Sequence, residues 1–357
     1  MDKNNHLKKS IIIEMSDLEV GGIQYVDINI SNYFCSMNYT VFILVPRIGT
    51  GKKHNIHNAV RLIFVPKSIL LRTLFLFKFL IKNRITIYFG LYNKPRFIAI
   101  LFKVPVIIQI LHNCYSYSKK EFLFEQFLKR HTNYVSVSNA VRDYSIKALK
   151  LPEEKVTTIY NGIDITKYSP RKTKAFEKIK VCSIGRLVQQ KGFDYLIEIA
   201  SHFLNFERAV EFCIIGDGPE SLKLQHLRNI FDPEGKLIKF LGERLDVNDI
   251  LPECHIFTST IRYGGFEIVL VEAMSSGLPV VAFDVGPVRE VIGECGPGIL
   301  VQPGNIVEFY NKLKHLLLHP KEIIERGQQS RKRAERLFNI NNSLQCYESL
   351  IKKLHKN

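Results

Sequence analysis

Short apolar runs alternate along this chain with longer stretches whose apolar residues recur at helical spacing. The runs 10–15, 41–45, 62–65, 85–89, 106–111 and 134–137 have the length and branched content of buried strands. After the first run, Ile23, Val26, Ile30 and Phe34 mark one face of a helix. The stretch 69–81 is apolar nearly all round, more than one core-facing stripe requires. Strands separated by helical patterns predict a parallel sheet wrapped by helices. A second series opens with a strand at 179–185 and ends in helices over 306–318, 322–337 and from 340 onward. Between the two series lie an Asn161-Gly162 turn signal and a basic, polar stretch over 169–178, which reads as a connection between domains.

Composition agrees with two such units. The chain has 357 residues, 46% hydrophobic and 24% charged, enough for two cores. No tract is of low complexity and no internal repeat is evident beyond the strand–helix alternation. Cys35, Cys114, Cys182, Cys213, Cys254, Cys295 and Cys346 are scattered, without a Cys-x-x-Cys pair. That pattern predicts reduced core thiols and a cytoplasmic location, not disulfides or zinc. The run Ile11–Ile13 is too short for a signal peptide, and 69–81, interrupted by Arg72 and Lys78, is too short to span a bilayer.

Charge changes the picture. The net charge is +16, and up to Pro170 there are 24 Lys+Arg against 11 Asp+Glu, leaving 26 against 23 for the remainder. No acidic residue occurs between Asp27 and Glu121. One half is therefore expected to face an anionic surface, either membrane or nucleic acid. Nucleic acid is disfavoured, because the cations are mixed with Leu and Phe and no nucleic-acid motif is present. A peripheral position on the inner face of the cytoplasmic membrane is the expectation.

The candidate chemistry centres on residues 262–284. A Gly264-Gly265 turn lets backbone approach a ligand, and a helix is expected from about Phe266, with Val269, Ala273 and Met274 facing a core. Gly277 stops it before a strand at 280–283. Free N–H groups at such a helix start form an anion site, and Glu272, about two turns on, is placed to reach ligand hydroxyls. Arg186 and Lys191 lie in the loop Gly185–Gly192 between a strand and a helix, where two cations can neutralise a diphosphate. In the first half Gly21-Gly22 forms a strand–turn–helix junction, and His112 stands at a strand end, the edge where open α/β sheets bind ligands.

These stretches resemble the family-4 glycosyltransferases, retaining enzymes of the GT-B fold. The family pattern is a Glu, Gly-Phe, five residues, a second Glu-Ala and a closing Gly-x-Pro-Val-Val. Glu272 matches the second Glu, whereas the first falls on Gly264. Gly185-Arg186-Leu with Lys191-Gly192, Ile214 to Pro219, Phe240 to Arg244, Gly286 to Ile292 and Gly298 to Val301 are similar to the family as well, so the likeness is dense from 185 to 301 and looser from 10 to 164.

The resemblance implies two Rossmann-like domains with parallel sheets facing a central cleft. Residues 1–168 would form an acceptor domain, membrane-facing by the charge described above, and 169–338 a nucleotide-sugar domain, with a last helix over 339–357 crossing back to the first. It also implies a UDP-linked donor and a saccharide or lipid-linked acceptor, in bacterial cell-surface polysaccharide or lipopolysaccharide synthesis. Arg186 and Lys191 would stabilise the leaving diphosphate and Glu272 would hold the ribose. Gly21 and Gly22 would contact the diphosphate, Gly216 would lie near the nucleotide and Arg244 beside the base. His112 matches a frequent family histidine. No Asp-x-Asp occurs, so no metal clamp and no cofactor are expected. No carboxylate suggests itself as nucleophile for double displacement, in keeping with the front-face mechanism usually ascribed to the family.

Gly264 makes a different reading possible, a catalytically degenerate relative serving as the partner of another chain. The Gly185–Gly192 motif and the lack of a pyridoxal-binding lysine context disfavour a nucleotide-sugar epimerase or a phosphorylase on the same scaffold. Glu267, placed by periodicity in the first helical turn, is expected to point away from Glu272 and not to replace the missing carboxylate. Sugar-hydroxyl recognition would then rely on backbone N–H groups around Gly265, Phe266 and Glu267.

Overall fold

Ile11, Ile12 and Ile13 have no room for water around them: they form the middle of a strand that is hydrogen-bonded on both sides. The computed structural model in which they lie describes residues 9–19, 21–46, 55–114, 118–170, 177–293 and 296–356. Two units emerge, one comprising residues up to Tyr160 together with those from Ser343, the other Asn161–Asn342.

In the first unit the elements follow in the order β1 (Ser10–Glu14), α1 (Gly22–Ser36), β2 (Thr40–Val45), β3 (Arg61–Phe64), α2 (Ile69–Lys82), β4 (Ile87–Phe89), α3 (Asn93–Leu101), β5 (Val106–Leu111), α4 (Lys119–Leu128), β6 (Asn133–Ser136), α5 (Asn139–Leu149) and β7 (Val156–Thr158). Among the described residues the strands form a seven-stranded sheet in the order β3-β2-β1-β4-β5-β6-β7, all parallel. The strand order reverses at β1, whose neighbours are β2 and β4. Such a switch point opens a crevice at the carboxyl ends of the strands. The stretch 156–158, which reads as part of the domain exit, is the last strand of this sheet. Three residues are too few for an alternating pattern to show.

Local chemistry sets several helix ends. The Ser118 hydroxyl accepts from the Glu121 amide while the Glu121 carboxylate accepts from the Ser118 amide, a reciprocal cap on α4. The Ser138 hydroxyl accepts from Val141 N at 3.1 Å and starts α5. Arg96 of α3 is fully buried and donates to both carboxylate oxygens of Glu125 on α4, at 3.1 and 2.5 Å. Burying these charges is costly, and only the pairing makes it tolerable.

The second unit runs β8 (Ile179–Ile184), α6 (Phe193–Ser201), β9 (Val210–Ile215), α7 (Ser221–Phe231), β10 (Ile238–Phe240), α8 (Val247–Ile250), β11 (Ile256–Ser259), α9 (Ile268–Ser275), β12 (Val280–Phe283), α10 (Val288–Ile292), β13 (Ile299–Val301), α11 (Ile306–Leu318), α12 (Pro320–Leu337) and α13 (Ile340–Leu354). Its described strands make a parallel six-stranded sheet, β10-β9-β8-β11-β12-β13, with the switch point between β8 and β11. Phe212, Ile214, Phe283, Phe309 and Leu313 fill the core between sheet and helices. From Ser343 on, α13 packs within the first unit, where Tyr347 lies 6.3 Å from Phe89, ring to ring, and Tyr33 donates to Glu348 at 2.8 Å.

Cys35, Cys182, Cys213 and Cys254 are buried free thiols, and Cys182 and Cys213 face each other across β8 and β9. Cys295 lies outside the described residues. No described helix is long and apolar enough to cross a membrane.

Candidate functional site

The carboxyl ends of β8 and β11 flank the switch point of the second sheet, and the motif loops leave from these two ends. Gly185–Gly192 follows β8. Gly192 has φ +66, and a Cβ there would stand 2.1 Å from the Thr260 carbonyl oxygen after β11. Only glycine permits that approach. The Thr260 hydroxyl closes it by donating to Gly192 O at 2.8 Å. Gly216, φ +133, sits equally tightly on the Gly185 carbonyl.

Side chains lash the two loops together. Gln190 Nε2 donates to Tyr263 O at 2.8 Å, and Arg262 N donates to Gln190 O at 2.8 Å. The Arg262 guanidinium forks onto Asp194 at 2.8 and 2.6 Å and lies 4.1 Å from the Tyr195 ring centroid. A bidentate pair of this kind fixes orientation as well as charge.

Within this frame Lys191 Nζ lies 2.5 Å from Glu267 Oε2. Glu267 is buried, and it is not part of the helix: α9 begins at Ile268, and Glu267 precedes it in extended conformation. Its Oε1 lies 3.4 Å from where a Cβ on Gly264 would stand. This corrects the expected placement of Glu267 in the first turn of the helix. Helical periodicity cannot place a residue that lies before the helix. Arg186, by contrast, is exposed and has no ion pair with any described residue.

Glu272 is half-buried on α9, and its Oε1 accepts from the Tyr168 hydroxyl at 2.7 Å. Burial pushes its carboxyl above the ordinary range, and the Tyr168 hydrogen bond partly offsets this. Arg331 of α12 braces the arrangement by donating to Tyr168 O at 2.6 Å and to the Ser275 carbonyl at the end of α9. Sequence reasoning missed Tyr168 and Arg331, which no motif marks.

The other residues singled out in the sequence are distributed as follows. Ala273 and Met274 are buried as expected, whereas Val269 is only half-buried. Gly265 is buried beside Phe266, whose ring packs edge-on against Phe338 at 5.6 Å and so turns into the unit. Gly216 N donates to Gly242 O at 2.7 Å, and both glycines line a hollow of about 520 Å³ with Asp217, Gln225, Arg228 and Lys239. Arg244 is not among its lining residues. It is exposed and forks onto Asp246, with Nε at 2.8 Å.

In the first unit Gly21 is extended and precedes α1, which carries no side-chain cap, and Gly22 is exposed. Val20 lies outside the described residues. His112 follows β5, half-buried, and burial lowers its pKa to about 4. At the switch point of this sheet the buried Glu14 carboxylate accepts from Leu91 N at 2.9 Å and Tyr92 N at 3.2 Å. Glu14 was not singled out in the sequence, although a carboxylate ending an apolar strand run was visible there. Among the described residues no group of three or more His, Cys, Asp or Glu side chains is placed to hold a metal ion.

Comparison with known proteins finds one family model on each half of the chain. Residues 20–167 match the model described as Glycosyltransferase Family 4, and residues 178–319 match Glycosyl transferases group 1. The gpi3 component of the Schizosaccharomyces pombe phosphatidylinositol N-acetylglucosaminyltransferase is 31% identical over 160 residues, 44% of this chain and 35% of that protein. An Escherichia coli UDP-Gal:alpha-D-GlcNAc-diphosphoundecaprenol alpha-1,3-galactosyltransferase is 26% identical over 194 residues, 51% of this chain and 50% of that protein. The chain thus spans half or less of the length of these curated relatives. Anabaena HepE in complex with UDP superposes with a TM-score of 0.84 over 97% of this chain and 100% of that one, at 19% identity, a likeness of fold.

Proposed function

We propose that this chain, whose two halves match the models of Glycosyltransferase Family 4 and Glycosyl transferases group 1, performs a retaining transfer of a sugar from a UDP-linked donor to a saccharide or lipid-linked acceptor. The observation that carries this reading is the cluster at the switch point of the second sheet. There Arg186, Lys191, Glu267 and the Gly264-Gly265 turn stand on loops locked to one another by Gln190, Arg262 and Thr260. Arg186 and Lys191 are the cations suited to the charge that develops on a departing diphosphate. Glu272, held by Tyr168, is suited to the ribose hydroxyls, and the hollow beside Gly216 and Gly242 to the base. Glu267 supplies, from just before α9, the carboxylate that the family pattern carries at the position of Gly264.

The lipid-linked alternative among acceptors draws support from the Escherichia coli relative, whose name specifies a diphosphoundecaprenol acceptor. Synthesis of a bacterial surface polysaccharide would use such an acceptor. The test is hydrolysis and transfer with a panel of UDP- and GDP-sugars, following nucleotide release and the anomeric configuration of the product. Turnover of one or more UDP-sugars with retention is expected. Absence of both nucleotide binding and turnover would favour a non-catalytic partner of another chain, the reading that Gly264 allows.

A further inference from the structure

Helix α2 carries two apolar faces, and the protein covers one of them. Arg72, Leu76 and Leu80 point inward, with Arg72 stacked 4.7 Å from the Tyr92 ring and donating to Pro66 O at 3.3 Å. Arg72 is therefore not one of the surface cations that the sequence suggests. On the other side Leu70, Leu74, Phe77 and Ile81 are exposed, Leu70 at 69% and Ile81 at 65%. At 3.6 residues per turn these four fall within about 60° of arc, a continuous stripe centred about 130° round the helix from the core face. The apolar surface continues onto the next helices. Phe77 meets Phe102, at the end of α3, edge-on at 4.9 Å, and Phe97 of α3 lies 5.7 Å from Phe127 of α4. Leu101, Leu123 and Phe127 are each more than half exposed.

Cations flank the stripe. Lys78 and Lys82 lie on one side of it within about 120° of arc, and Lys67 and Arg84 stand at the two ends of α2, all exposed. Lys103, Lys119 and Lys120 add to them along α3 and α4. Lys52 and Lys53 lie outside the described residues. No Asp or Glu interrupts the sequence from 28 to 120, so α2 and α3 carry no acidic side chain, and Glu121 is the exposed acidic residue on the adjoining α4. A folded domain seldom leaves so much contiguous apolar surface uncovered without an occupant. The occupant must be apolar where α2 enters it and negative at its rim.

We propose that α2, with the adjoining ends of α3 and α4, is an interfacial docking surface for an anionic phospholipid bilayer. Leu70, Leu74, Phe77 and Ile81 enter the acyl boundary, and Lys67, Lys78, Lys82 and Arg84 engage the headgroups. The helix lies in the plane of the membrane surface and does not cross it. This surface is independent of the transferase reading, because it needs neither donor nor acceptor.

The test is sedimentation of the full chain with vesicles of phosphatidylcholine alone or of equal parts phosphatidylcholine and phosphatidylglycerol, at low and high salt. Binding to the anionic vesicles, weakened by salt, is expected. Lys78→Ala/Lys82→Ala should weaken it roughly 30-fold at low salt, at about 1 kcal/mol for each cation. Leu74→Glu/Ile81→Glu should abolish it while leaving the circular dichroism spectrum and melting temperature unchanged, since both side chains are exposed. Failure of the wild type to bind anionic vesicles at low salt would overturn the proposal. So would binding that both double variants retain. Self-association without vesicle binding, dissolved by Leu74→Glu/Ile81→Glu, would instead assign the face to a second copy of this chain.

Discussion

The Lys191 ammonium and the Glu267 carboxylate stand 2.5 Å apart, and that carboxylate also borders the empty side-chain position of Gly264. The pair joins the loop after β8 to the chain entering α9. It therefore couples the cation proposed for the diphosphate to the carboxylate proposed for the sugar.

Removing Lys191 should act twice. Lys191→Ala is expected to reduce turnover about 100-fold through lost charge stabilisation, and to destabilise the fold by about 2 kcal/mol because Glu267 is left buried and unpaired. Adding Glu267→Gln should restore the melting temperature but not the rate. Arg186→Ala, at an exposed side chain with no ion pair among the described residues, should lose a similar factor in rate with no change in melting. Near-normal rates in both single variants would show that the diphosphate binds elsewhere.

Two carboxylates cannot share the space beside Gly264 without strong mutual repulsion. Gly264→Glu alone should therefore be nearly inactive, whereas Gly264→Glu/Glu267→Gly, which moves the carboxylate back, should recover activity. Glu267→Ala should lower discrimination between epimeric UDP-sugars roughly 10- to 150-fold, the worth of a charged hydrogen bond. Discrimination untouched by Glu267→Ala would return sugar recognition to the backbone N–H groups. Activity gained by Gly264→Glu in an otherwise inactive protein would establish the degenerate reading.

Tyr168 acts on Glu272 by holding one carboxylate oxygen. Tyr168→Phe should raise the donor KM about 10-fold, in line with loss of one hydrogen bond to a charged or partly charged group, and change kcat little. Equal losses in kcat, with unchanged KM, would assign Tyr168 to the chemical step.

Burial keeps His112 neutral until the pH falls to about 4. The pH–rate profile should consequently show no acid limb near the ordinary histidine value of about 6.5. An acid limb near that value, abolished by His112→Gln, would contradict the burial seen here.

Asp27, buried on α1, has its pKa pushed up to about 8 by desolvation. The folded state keeps a proton that the unfolded chain releases above an ordinary aspartate pKa of about 4. Stability should therefore decline as pH rises between these values, by about 1.4 kcal/mol per unit. Asp27→Asn removes the titration, so its advantage over the wild type should grow from pH 4 to pH 8 in denaturant titrations. A difference independent of pH would mean that Asp27 is ionised in the fold.

Alternation of apolar runs with helical spacing sufficed to read two parallel α/β units, because strand and helix periods are local properties of the chain. The 106–111 strand and the 306–318 helix fall where the pattern puts them. Glycine motifs located the loops after β8 and β11, and in the first of them the positive φ of Gly192 and its close approach to the Thr260 carbonyl leave glycine as the residue that fits. Other features depended on the tertiary structure. The strand 156–158 exists because β6 offers it a ladder, not because three residues declare themselves. Arg72 turns inward because Tyr92 and the Pro66 carbonyl receive it, although its place among lysines suggests the surface. Tyr168 reaches Glu272 across more than a hundred positions, a pairing set by Arg331 and the packing of α12 on α9. Glu267 turns toward Lys191 because α9 begins one residue later. A helix boundary of that kind is decided by the loops it joins, and no spacing rule within the chain could foresee it.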